Sequence, residues 1–169
     1  MAGAATVIWI FHNLVENKSK KNLIIGLPLV ENMVSHNAYK PWDVITMYNG
    51  KTVEVGNTDA EGRLILADTL SYIEEKYNPD RVFDFATLTW ACHYSLWEMY
   101  TGIFSDSKKL LEKIQKIWDS VNDRAWQLPF DKLVKESVKW KVCDLLNAPK
   151  LKMLWASTAA AFLANFIKD

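Results

Sequence analysis

The run Leu23 to Val30 constrains this chain most, because it is apolar almost without interruption over the length of one strand. A strand with one wet face alternates polar and apolar residues; a near-continuous run is the pattern of a strand covered on both faces. Arg81 to Thr89 repeats the pattern as a second buried strand. Covered strands require helices on both sides, so the expected architecture is α/β, a three-layer α/β/α sandwich with a mixed sheet.

The segments between these runs supply the layers. Ile8, Phe11 and Val15, with Ala4 and Ala5 behind them, recur at helical spacing and predict a helix over 4–16. Asp43 to Tyr48 and Thr52 to Val55 flank Asn49-Gly50, a dipeptide that accepts the positive φ angles of a tight hairpin turn. Leu66, Leu70, Ile73 and Tyr77 predict a helix that ends at Asn78-Pro79. Leu111, Ile114, Trp118 and Val121 predict another over 108–121, capped from 105–107. An amphipathic piece over 131–139, a loop around Asn147-Ala148-Pro149 and an Ala-rich helix from about 157 to 167 complete the chain. With 169 residues and no linker or repeat, one domain is expected.

Twenty basic and twenty acidic side chains cancel, so no overall field favours nucleic acid or an anionic membrane surface. The apolar runs fall well short of the roughly 20 residues a spanning helix needs. Two lone cysteines, Cys92 and Cys143, make no disulfide framework or CxxC pair, and the first residues lack the basic start of a signal peptide. These features predict a cytoplasmic setting. The cysteines read as structural thiols, and His12, His36 and His93 as ordinary surface or core histidines.

Asn57-Thr58-Asp59-Ala60-Glu61-Gly62-Arg63 places two carboxylates and a guanidinium at a strand-to-helix turn, where α/β folds bind ligands. Carboxylates two apart in such a turn can converge on a divalent cation, and an adjacent Arg can hold an anion. Thr58-x-x-Glu61 is also the pattern of a capping box, with Asp59 favouring the positive end of the helix.

This heptad is similar to the signature of the leucyl aminopeptidase family. So are Pro-Leu-Val-Glu-Asn-Met at 28–33, Asn-Ala-Tyr-Lys-Pro at 37–41, Ala-Thr-Leu-Thr at 86–89, Trp-Gln-Leu-Pro at 126–129 and Ser-Thr-Ala-Ala-Ala-Phe-Leu at 157–163. The resemblance covers essentially the whole chain and implies a shortened version of that family's catalytic domain. It further implies two divalent ions, zinc or manganese, that activate a water for attack on the first peptide bond of a substrate. Asp59 would ligate one ion, Glu61 would bridge both, Arg63 would hold a catalytic bicarbonate, and the Leu88 carbonyl would contact substrate.

Against that pattern, Met1-Ala2-Gly3-Ala4-Ala5 resembles a family segment that directly follows a metal-binding Asp. That Asp, and the upstream family region with a lysine ligand, a bridging aspartate and a catalytic lysine, have no counterpart in these residues. Trp42, Trp90, Trp97, Trp155 and His36 stand where the family has glycine, as do Trp9 and Trp140, in a chain with 8 Trp and 6 Gly. The indoles are expected to fill concavities, each burying on the order of 150–250 Å², with a redesigned binding face as the alternative. The expected function is accordingly a catalytically inactive, engineered scaffold or binding module that binds none of the family's ions tightly, with a designed protein partner or self-association. The alternative is a metal-dependent aminopeptidase, or a fragment of one, acting on peptides.

Overall fold

A computed structural model describes residues 1–149 and 154–168. Helix α1 (Ala2–Glu16) leads into an extended stretch, followed by a hairpin of β1 (Val44–Thr46) and β2 (Thr52–Glu54) and then helix α2 (Glu61–Tyr77). Helix α3 (Trp90–Leu96), strand β3 (Thr101–Ile103), helix α4 (Lys108–Ser120) and strand β4 (Ala125–Gln127) follow. Helix α5 (Lys132–Glu136), strand β5 (Leu145–Leu146) and helix α6 (Trp155–Leu163) close the order.

The sheet is mixed, as expected. β2 is its middle strand, antiparallel to β1 through Ile45 opposite Val53 and parallel to β5 through Val53 opposite Leu145. The hairpin turns at Gly50 with φ 85°, a conformation glycine reaches without steric cost. A separate parallel pair joins β3 to β4.

The core lies where β2 and β5 meet α2, α5 and α6. Val53, Val55, Ala67, Val138, Ala161 and Phe162 are fully enclosed there, and the rings of Phe162 and Phe166 lie 5.1 Å apart. The Ala-rich sequence of α6 lets this helix approach closely: Ala159 and Ala161 are buried beside Phe162 and Leu163. Side-chain caps start α4, where Ser107 accepts from the Leu110 N–H, and α5, where Asp131 accepts from the Val134 N–H.

The segments 23–30 and 81–89 correct the strand expectation. Both run without ladder pairing, and Ile24, Leu29, Val30 and Phe83 remain exposed. An apolar run becomes a strand only when neighbouring backbone offers a complementary row of N–H and C=O groups, and none of the described strands pairs with them. They pack on helices instead. A Cβ on Gly26 would lie 2.7 Å from Ile73 Cδ1 of α2, so the first segment crosses that helix at backbone distance. The Gly3 N–H donates to Thr87 Oγ1 at 2.9 Å, which seats the start of α1 on the second. α1 itself has the predicted helical spacing but no buried residue.

Candidate functional site

Parallel neighbours deliver their C-terminal ends to the same edge of a sheet, and this builds the site. β2 ends at Glu54 and β5 at Leu146, so the turn 55–60 and the residue Asn147 emerge side by side. Asn147 is wholly buried and secures the turn with every polar atom of its side chain. Its Oδ1 accepts from the N–H groups of Gly56 (2.8 Å) and Asn57 (3.2 Å). Its Nδ2 donates to the carbonyls of Asn57 (2.8 Å) and Ala60 (3.4 Å). The Asn147 N–H donates to the Glu54 carbonyl, extending the pairing of β2 with β5 by one bond.

The turn then closes on itself, with the Ala60 N–H donating to the Asn57 carbonyl and the Asp59 N–H to Asn57 Oδ1. Asp59 is left exposed at the rim, and α2 begins at Glu61. This corrects the capping-box expectation. Ala60 occupies the cap position and no side chain caps the helix, so Thr58 stands two residues too early and Glu61 at the first helical residue rather than the third. The carboxylate is left available for something else.

Arg63 and Glu61 carry the site's unusual electrostatics. Arg63 is buried, and its Nη1 donates to the Asn147 carbonyl at 2.8 Å. Burial pushes its guanidinium down to about 10, against a partial restoring effect of the Glu61 charge, so it stays cationic at neutral pH. Arg63 Nε and Glu61 Oε2 are both buried without a hydrogen-bond partner. Burial, with Glu61's charge second, raises the Tyr39 phenol, whose hydroxyl donates to the Thr58 carbonyl.

A cleft of about 60 Å³ opens here, with Asp59, Arg63, Leu88, Trp90 and Trp155 among its lining residues. That volume holds a few waters at most. A neighbouring cavity of about 320 Å³ has Trp42, Trp140 and Trp155 among its walls and shares Asn57 and Pro149 with the cleft. Of the residues singled out in the sequence, the fold therefore brings together Asp59, Arg63, Leu88, Trp90 and Trp155, with Glu61 at the start of the same helix as Arg63. It does not bring His36, exposed in the extended stretch, or Trp97, which stacks on His93 at 5.4 Å.

The expected filling of concavities is corrected for three of the four indoles. Trp42, Trp90 and Trp97 are 69%, 75% and 66% exposed, and only Trp155, at 38%, is substantially covered. Asn147 is the site residue that sequence reasoning passed over as part of a loop. Its one local signal is position: a side chain rich in donors and acceptors directly after the apolar pair Leu145-Leu146.

The chain matches, over residues 1–169, the profile of the cytosol aminopeptidase family, catalytic domain. It is 43% identical over its full length to a protein of Shewanella oneidensis named probable cytosol aminopeptidase 1, covering 34% of that protein. It is 46% identical over 99% of its length to a probable cytosol aminopeptidase of Chlorobium luteolum, covering 33% of it. The chain thus spans about a third of the length of the curated relatives it matches. Among solved structures, a K354E mutant of tomato leucine aminopeptidase aligns with a TM-score of 0.75 at 36% identity, over 82% of this chain and 27% of that one. The α/β fold is shared with it over that part.

Proposed function

Because the chain belongs to the cytosol aminopeptidase family, we propose that it carries the carboxylate-and-arginine part of a metal-dependent site that releases N-terminal residues from peptides in the cytoplasm. The observation that carries this reading is the pair of orphaned polar atoms, Glu61 Oε2 and Arg63 Nε, buried two residues apart at the start of one helix. A buried carboxylate oxygen and a buried guanidinium N–H each cost roughly 1–3 kcal/mol when left unpaired. Such a cost persists where a cation and an anion are the intended partners.

The donors among the described residues do not make up a two-ion centre. Among the described residues there is no group of three or more His, Cys, Asp or Glu side chains that could hold a metal ion. Asp59 and Glu61 offer carboxylate oxygens, which suit a divalent zinc or manganese ion, but a pair of ions needs further ligands. No catalytic step is therefore assigned to metal on this chain. Its own residues have simpler tasks. Arg63, cationic and anchored on Asn147, would hold a bicarbonate-sized anion beside the reacting bond; Leu88, in the same cleft, would meet the substrate backbone.

One observation favours the inactive-scaffold reading: the cleft that Trp90 and Trp155 help to line holds only about 60 Å³, little room for a peptide terminus. A single experiment separates the two. Calorimetry with manganese and bicarbonate should give metal uptake that is lost in Glu61→Ala. No uptake would leave the scaffold reading standing.

A further inference from the structure

The left-handed backbone positions and the tryptophans coincide where they should not. Among the described residues, six have φ in the left-handed region: Gly50, Lys18, Asn78, Asn122, Trp42 and Trp97. Glycine and asparagine are the ordinary occupants of such positions. Tryptophan is not. Trp97 lies at φ 58°, ψ −160°, on the edge of a region that only glycine populates freely. It also follows α3 directly, with its N–H on the His93 carbonyl, the place where a glycine commonly stops a helix. Trp42, at φ 75°, is pinned by its N–H to the Val55 carbonyl at 2.7 Å. Burial repays neither strain, since both indoles are mostly in solvent.

Composition carries the same imbalance. Six glycines in 169 residues are about half the usual share of roughly 7%, and eight tryptophans stand beside that deficit. Glycine and tryptophan lie far apart in size but close in the genetic code. The glycine codon GGA and the triplet UGA differ in their first base, and UGA, a stop in the standard code, is read as tryptophan in some lineages and as glycine in others.

We infer that Trp42 and Trp97, and with them the exposed Trp90 and the cleft residue Trp155, are specified by UGA codons that the producing organism reads as glycine. The native polypeptide then carries glycine at these four positions. His36 falls outside the rule, because no histidine codon is UGA; it is an ordinary substitution. Trp126, in the extended backbone of β4, is the internal control. For Trp42 and Trp97 the inference rests on backbone conformation and composition and is independent of the aminopeptidase reading; Trp90 and Trp155 join them because the family resemblance has glycine there.

The test reads the codons in the gene and weighs the corresponding peptides of the protein isolated from its own cells. UGA at 42, 90, 97 and 155, UGG at 126, and peptides lighter by the tryptophan-to-glycine difference at those four positions are the expected result. UGG at 42 or 97, or an intact indole in the native peptides, overturns it. Recombinant variants give a second arm: Trp42→Gly and Trp97→Gly should each unfold at higher urea than the tryptophan chain, and Trp126→Gly at lower. A lower midpoint for both of the first two also overturns it.

Discussion

Arg63 reaches across the site to the backbone carbonyl of Asn147, its Nη1 2.8 Å from that oxygen, while the Asn147 side chain grips the turn from which α2 emerges. One residue thus holds both the carboxylate-bearing turn and the cation next to it.

Asn147→Ala removes the side-chain bonds to Gly56, Asn57 and Ala60. Leaving those backbone groups short of partners should lower stability by about 2 kcal/mol, read as a shift in the urea midpoint. Asn147→Asp, which keeps the acceptor and loses the donor, should fall between. An unchanged midpoint for the alanine variant would mean that the turn holds itself.

Arg63 predicts a pH dependence at the alkaline end. Burial lowers its folded value to about 10, well below the ordinary guanidinium value it keeps when unfolded, so between the two the unfolded chain holds a proton that the folded one has released. Stability attributable to this group therefore rises with pH in that window, relieving a cost that is fully present below about pH 10. The stability of the chain minus that of Arg63→Met should be flat from pH 7 to 9 and grow by about 1 kcal/mol by pH 11. Paired thermal melts would reveal it; a flat difference throughout would show that the guanidinium never loses its proton.

Relief of positive φ sets the size of the glycine effects. An L-residue in the left-handed region costs roughly 1–2 kcal/mol, and glycine's extra unfolded-state freedom returns about 0.5–1 kcal/mol of that. Trp42→Gly and Trp97→Gly should each gain about 0.5–1 kcal/mol, the second less because it gives up the stack on His93.

Exposed indoles also predict association. Trp42, Trp90 and Trp97 stand in solvent among other uncovered apolar groups such as Val34 and Tyr94, and patches of this kind drive self-contact. Light scattering should show mass rising with concentration, and less so in a chain with glycine at 42, 90 and 97. A concentration-independent monomer would mean that the indoles are too scattered to act together.

What was legible in the sequence was local. Asn49-Gly50 marked the hairpin, Asn78-Pro79 the end of α2, and the alanines the helix α6 itself, because each effect is decided within a few residues. The heptad 57–63 marked the site for the same reason. Leu23 to Val30 and Arg81 to Thr89 misled because an apolar run states a preference for cover, whereas a strand also requires a paired backbone. Asn147 was invisible because its partners lie 87 to 91 residues away in sequence. The start of α2 was misplaced because Thr58 and Glu61 satisfy the spacing of a capping box, yet the turn they belong to is held from outside by Asn147.

The grip of Asn147 on Gly56 and Asn57 makes those two amides natural reporters. Their hydrogens can exchange with deuterated solvent only when the side chain lets go, so their exchange rates measure how often the site comes apart. Any anion or cation that settles the turn should slow those two hydrogens before it alters any bulk property of the chain.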